Sequence, residues 1–152
     1  MNCNERLLLL VLVLLSAALL APAAAAAAET GIIHFSGTDS RPEQNLCSCA
    51  PGTLTIDFSG VIHTTDLGDG TLHMTGTMTG TVTFVPDDPS QPSYTGHLTE
   101  QFDGGPNTMT VADNIVLHGS DGSLGKQHIL MQVTVNANGT VTASIETNRL
   151  TC

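Results

Sequence analysis

The strictest constraint on the fold is the alternation in Thr71–Phe84, which reads TLHMTGTMTGTVTF. Every second residue is Thr, apart from one His, and the residues between are apolar or Gly. A period of two places the two rows on opposite faces of a β-strand. We expect the apolar row to face the core and the Thr row to face solvent. A regular hydroxyl array can also order water, as on ice-binding surfaces, but the predicted neighbouring row from Thr53 to His63 is irregular, which favours ordinary solvent exposure.

Alternating stretches broken by Gly, Pro, Asn and Asp continue along the chain, and no segment after residue 28 has a helical pattern. The pattern predicts an all-β domain, an antiparallel barrel of about seven to eight strands, with a β-sandwich as the alternative. Gly76 and Gly80 favour the barrel because glycine permits a strand to bend sharply. Asp39–Gly52 is predicted to be a long loop. The predicted strands are Thr53–Thr65, Thr71–Val85, Ser93–Phe102, Thr108–His118, Gln127–Val135 and Thr140–Leu150, with Ile32–Gly37 as one more.

The turn chemistry predicts the strand register. A three-residue loop at Gly68–Gly70 pairs large residues of the first strand with glycines of the second, and it pairs apolar residues with apolar ones. A two-residue loop would instead pair apolar positions of one strand with polar positions of the other. The expected pairs are Leu54–Phe84, Ile56–Val82, Phe58–Gly80, Gly60–Met78 and Ile62–Gly76. A three-residue loop at Ala137–Gly139 likewise predicts the pairs Met131–Ile145, Val133–Ala143 and Val135–Val141.

The N-terminal segment has the features of a secretory signal peptide. A short polar start with Arg6 precedes the apolar run Leu7–Leu20, and Pro22 and an Ala run follow. The expected processing is removal of residues 1–28, a signal peptide helix, which leaves residues 29–152 as a single secreted, extracellular domain. An uncleaved membrane anchor is the alternative. After cleavage we expect no membrane association.

The charge balance narrows the classes of partner. The whole chain has 14 acidic and 4 basic residues. Without Glu5 and Arg6 of the signal segment, 13 carboxylates and 3 basic residues remain. Such an acidic protein is not expected to bind nucleic acid, because that affinity comes mainly from Lys and Arg. A homodimer and a small apolar ligand stay open as partners.

Three cysteines remain after residue 28, namely Cys47, Cys49 and Cys152. Export favours disulfide bonds, and a bond from Cys152 to either Cys47 or Cys49 would hold the C-terminus near the front of the domain. The sequence does not decide between the two. A structural disulfide is favoured over a metal site, because no second ligand cluster accompanies the Cys-Ser-Cys motif.

Candidate site residues come from polar groups within predicted strands. Asp113 interrupts an apolar row, and a buried charge requires a partner. Arg149, on the row of Val141, Ala143 and Ile145, is the predicted partner, with solvation of both groups as the alternative. His118 and His128 are further pocket candidates if they lie opposite or diagonal on one face. No spacing matches a metal motif, and neither a metal nor a cofactor is expected.

The segments YTGHLT, GSDGS, VTVNANGTVT and RLTC resemble a group of small secreted bacterial proteins of unknown function. More distantly, the pattern is similar to bacterial members of the allene oxide cyclase and dirigent barrel group, although the Gly-rich repeat of that group is not present. The second resemblance implies a barrel with an apolar lumen. We therefore expect a non-enzymatic extracellular binding or surface module. The alternatives are a barrel enzyme, a cyclase or isomerase acting on an apolar molecule in its lumen, and a structural cell-surface component.

Overall fold

The structure, a computed structural model, describes residues 31–67, 71–105, 107–136 and 140–152. The predicted signal peptide and the residues of both tested loops, 68–70 and 137–139, lie outside the described residues. None of the described segments forms a helix with the length and apolar character needed to cross a bilayer. The strands are β1 (Gly31–Gln44), β2 (Pro51–Asp66), β3 (Leu72–Pro86), β4 (Tyr94–Gly104), β5 (Thr108–Gly119), β6 (Leu124–Val135) and β7 (Val141–Thr151).

The strands form one antiparallel sheet in the order β1 to β7, so each strand pairs with its neighbours in the chain. This confirms the all-β prediction and places the strands in one continuous sheet rather than in two. Within the described ranges no pairing joins β1 to β7, and the sheet is therefore not closed into the predicted barrel.

The register of both tested hairpins is as predicted. In the first, β2 and β3 pair Leu54 with Phe84, Gly60 with Met78 and Ile62 with Gly76. In the second, β6 and β7 pair Val135 with Val141. The placement of large residues opposite glycines therefore identified the correct alignment without any knowledge of the rest of the sheet.

One face of the sheet, here called the core face, is buried. Met78 and Phe84 of β3 are 4% and 2% exposed, whereas Thr77, Thr79 and Thr81 of the Thr row are exposed. The Thr row therefore lies on the opposite face, here called the outer face, as predicted. The buried hydrophobic core comprises Leu54, Ile56, Ile62, Met78, Val82, Phe84, Tyr94, Leu98, Phe102, Met109, Val111, Ile115, Leu117, Ile129, Met131 and Val133.

Two core-face glycines make room for aromatic rings from the adjacent strand. Gly76 pairs with Phe102, and a Cβ added at Gly76 would lie 2.1 Å from that ring. Gly60 pairs with Phe35, and a Cβ there would lie 2.4 Å from the ring and 2.5 Å from the carbonyl oxygen of Thr77. The core is thus filled by Phe side chains that lie directly against the backbone of the neighbouring strand.

The predicted loop Asp39–Gly52 is wrong over most of its length. Residues 39–44 continue β1, and residues 51 and 52 begin β2, which leaves a short turn at residues 45–50. Arg41, Pro42 and Glu43 gave no alternating apolar signal because β1 is an edge strand, and edge strands tolerate charges and Pro.

Asn45 organises this turn. Its side chain is buried, and its Oδ1 accepts hydrogen bonds from the backbone N–H groups of Cys47 at 2.9 Å and Ser48 at 3.0 Å. The turn places Cys47 against Gly125 of β6 and within disulfide distance of Cys152, with a Cα–Cα separation of 5.6 Å. Cys152 therefore bonds to Cys47, which decides between the two predicted partners.

Candidate functional site

A pair of carboxyl groups lies within the hydrophobic core. Glu100 of β4 and Asp113 of β5 are direct partners in the strand register, and they are only 4% and 3% exposed. Met78 lies opposite Glu100 on β3, and Ile129 lies opposite Asp113 on β6. Two acidic side chains thus occupy one row of the core face between apolar neighbours.

Burial sets the protonation of this pair. Desolvation, followed by the nearby charge of Asp113, raises the pKa of Glu100 from its ordinary 4.5 to about 8. Desolvation also raises the pKa of Asp113 from 3.8 to about 6, while its hydrogen bond with Glu100 opposes that rise. At neutral pH the pair therefore holds one proton, with Glu100 as the protonated donor and Asp113 as the acceptor.

A buried amide, Gln127, extends the polar groups towards β7. Gln127 is 3% exposed, and its Nε2 donates a hydrogen bond to Oδ1 of Asn148 at 3.1 Å. Among the described residues, three buried side-chain oxygens lack a hydrogen-bond partner, namely Oε2 of Glu100, Oδ1 of Asp113 and Oε1 of Gln127. Because these oxygens have no hydrogen-bond donor, ionising Glu100 or Asp113 in the core costs free energy.

The predicted pair of Asp113 and Arg149 does not form. Arg149 lies opposite His128 on the outer face and is exposed, whereas Asp113 faces the core. The reason is a β-bulge: Met131 pairs with Ile145, but Leu130 pairs with Thr147, so one extra residue of β7 interrupts the alternation. After the bulge, Asn148 takes the core-face position that simple alternation assigned to Arg149.

The predicted histidine pair is also separated. His118 lies opposite Leu124, and His128 lies opposite Asn114. They share the outer face but are offset by four residues, about 13 Å along the strands. His128 instead contacts Asn114, with Nδ1 and Oδ1 2.8 Å apart. In the part of the chain that the structure describes, no three His, Cys, Asp or Glu residues are grouped to hold a metal ion.

The outer face carries a depression of about 660 Å³ across β1 to β4. Two register rows supply its exposed side chains. One row runs Ser36, Ser59, Thr79 and Thr99, and the other runs Thr38, Asp57, Thr81 and His97. Between these rows Gly37 and Gly80 also line the depression.

Most of the outer-face side chains that line this depression carry a hydroxyl group. Its outer-face side chains are six hydroxyls, one carboxylate and one imidazole, the last two being Asp57 and His97. Thr38 donates a hydrogen bond from Oγ1 to Oδ1 of Asp57, which orients the carboxylate. Each hydroxyl can both donate and accept, so the depression offers many polar contacts and little charge.

By contrast, the space enclosed on the core face is small. A cavity between the residue 43–46 segment and the apolar residues of β2 to β5 has a volume of about 20 Å³. A volume of this size is on the order of that required by a single water molecule. This cavity is therefore too small to hold an organic ligand.

Sequence reasoning missed both the carboxyl pair and the depression. Glu100 follows Tyr94, Gly96 and Leu98 at a spacing of two, which could have placed it on the core face. Its pairing with Asp113 depends on the register across residues 105–107. The depression depends on β1 continuing through Ser36 and Thr38, in a segment with little apolar alternation.

Comparisons with known proteins gave no relatives: no protein-family model, no curated protein and no solved structure matches this chain.

Proposed function

We propose that this chain is an exported, non-enzymatic binding module whose ligand occupies the depression on the outer face of β1 to β4. The observation that carries the proposal is the depression itself, which has a volume of about 660 Å³ and is lined by two rows of exposed polar side chains. Ligand pockets commonly have volumes of about 300–1,000 Å³. The rows lie on a single sheet with continuous pairing, so the side chains are held at fixed spacings.

The proposal favours binding over catalysis because of where the unusual titratable groups lie. Glu100 and Asp113 are buried in the core, and the cavity beneath the residue 43–46 segment is too small for an organic substrate. Acid–base catalysis requires the acid and base to reach the substrate. The barrel enzyme remains the second candidate, and it would need the sheet to open and expose this pair.

Export is part of the same proposal. The apolar run Leu7–Leu20 with its Ala-rich end supports it, and so does the Cys47–Cys152 pair, since disulfides persist in oxidising compartments. The curl of the sheet that brings these cysteines together supports a barrel-like shape. N-terminal sequencing of protein recovered from culture medium is expected to begin at Glu29, and an intact Met1 would contradict the proposal.

The binding site is tested by NMR with a library of polar and apolar small molecules. Ligands are expected to shift the backbone amides of Thr79, Thr81 and their row neighbours. A Thr79→Trp variant should abolish these shifts by filling the depression. Thr77→Trp, on the same strand and face but outside the depression, should keep them. Shifts confined to Glu100 and Asp113 would favour the enzyme, and no shifts at the depression would refute the proposed site.

A further inference from the structure

We propose that the ligand of the outer-face depression is a neutral polyhydroxylated molecule, of the class of short oligosaccharides, lying across β1 to β4. This inference rests on the proposed function and names the ligand class of the same site. Three observations carry it: the density of hydroxyls, the position of Asp57, and the acidity of the chain.

The hydroxyl rows form a regular grid. Along each row, neighbouring side chains belong to adjacent strands, and the two rows are two residues apart on each strand. Strand geometry sets these spacings at about 4.8 Å across the sheet and about 6.7 Å along it. Four strands therefore present hydroxyls over about 14 Å. A ligand matching this grid needs several groups that both donate and accept hydrogen bonds, spread over a comparable length, as a chain of sugar hydroxyls provides.

Asp57 gives the grid a strong acceptor. It lies in the interior of its row, between Thr38 and Thr81, and its Oδ1 accepts the Thr38 hydroxyl. The other carboxylate oxygen can accept hydroxyl donors from a ligand, and hydrogen bonds to a charged acceptor are stronger than neutral ones. Asp57 therefore favours a ligand rich in O–H donors.

Charge excludes anionic members of the same class. The chain has a formal net charge of −10, and the only charged side chain of fixed sign lining the depression is the Asp57 carboxylate. A sulfated, phosphorylated or uronic sugar would be repelled by this field. An apolar ligand would leave the hydroxyls desolvated without partners, which costs free energy.

The test is a calorimetric and NMR titration of residues 29–152 with four probes of similar length. Cellohexaose and maltohexaose are neutral, a hyaluronan hexasaccharide is anionic, and a glucosamine hexamer is cationic. At least one neutral probe is expected to bind and to shift the amides of Thr79 and Thr81. The hyaluronan fragment is expected to bind at least tenfold more weakly, because of the repulsion described above.

Variants test whether binding depends on the hydroxyl groups of the depression or only on an intact sheet. The double change Thr79→Val and Thr81→Val keeps shape and strand preference but removes two hydroxyls, and it should weaken binding about tenfold. Asp57→Asn should weaken it by a similar factor. Thr77→Val removes an exposed hydroxyl of the same strand and face outside the depression, and it should change the affinity less than twofold. Thermal unfolding of each variant verifies that the fold is retained.

The outcomes distinguish this inference from the proposed function. Neutral probes that bind wild type and the Thr79–Thr81 double variant equally would overturn the inference. Selective binding of the cationic probe would also overturn the inference. If that probe shifts the amides of the depression, the proposed function as a binding module would still be supported. If all four probes leave these amides unchanged while other small molecules shift them, only the ligand class is wrong. If nothing shifts them, both proposals fail.

Discussion

Replacing Glu100 by Gln should remove the part of the pH dependence of stability that Glu100 contributes, and Asp113 contributes a second part that remains. The glutamine amide keeps nearly the same shape and can still donate a hydrogen bond to the Asp113 carboxylate. It does so without a bound proton. Wild-type Glu100, in contrast, must be protonated to occupy its buried position beside Asp113.

The sign follows from the raised pKa. In the unfolded chain Glu100 loses its proton near pH 4.5, whereas in the folded protein it holds the proton until about pH 8. The folded state therefore binds more protons between these values, and stability falls as pH rises through this window. The contribution is fully present below pH 4.5 and lost by about pH 8. At 1.36 kcal/mol per pH unit, the difference corresponds to an upper bound of about 5 kcal/mol.

The assay is urea unfolding of wild type and E100Q at half-unit steps from pH 4.5 to 9. The informative quantity is the difference in unfolding free energy between the two proteins at each pH. We expect wild type to lose several kcal/mol relative to E100Q across the window. Glu146→Gln, the same change at an exposed residue of β7, serves as the control and should run parallel to wild type. A difference that stays constant with pH would refute the reasoning.

Three further perturbations test the architecture. Cys152→Ala removes a bond that spans 105 residues, and it should lower the urea stability by up to about 4–5 kcal/mol. Gly60→Ala places a Cβ 2.4 Å from the Phe35 ring, and it should lower the free energy of unfolding by about 1–3 kcal/mol. Gly105→Ala is the control and should be near neutral, because its Cβ would have no atom within 4 Å. Equal effects of the two substitutions would contradict the packing of Phe35 against Gly60. Deleting Glu146 would remove the extra residue of β7 and bring Arg149 to the core face; we expect a large loss in melting temperature, and an unchanged value would show that the bulge does not set the alternation.

Local alternation and turn chemistry were enough to predict the strands and two registers. Large residues opposite glycines in β2 and β3 made the correct alignment unique, because a one-residue slip exposes a whole face. The same reasoning failed where alternation is absent. Residues 39–44 of β1 carry charges and Pro suited to an edge strand, and they read as a loop.

The site could be predicted only in part, because it depends on distant alignment. Asp113 was identified correctly as a polar group in an apolar row, but its partner was not. The bulge between Leu130 and Met131 changes the face of every later residue of β7, and no local feature of the sequence marks it. The depression requires β1 to β4 to be in register. The connections from β1 to β2 and from β3 to β4 are longer than hairpin loops, at residues 45–50 and 87–93, and they did not allow the register to be predicted.

Because Cys152 follows β7, the disulfide bond with Cys47 can form only after the whole sheet has been synthesised. Each strand pairs with its neighbour in the chain, so under the proposed export hairpins could assemble one after another as the polypeptide emerges from a pore. The cross-link to Cys47 must wait until the seventh strand has been released. In an exported chain, formation of this bond would therefore mark the release of the whole sheet, and a chain stalled partway through the pore would still carry a reduced thiol at Cys152.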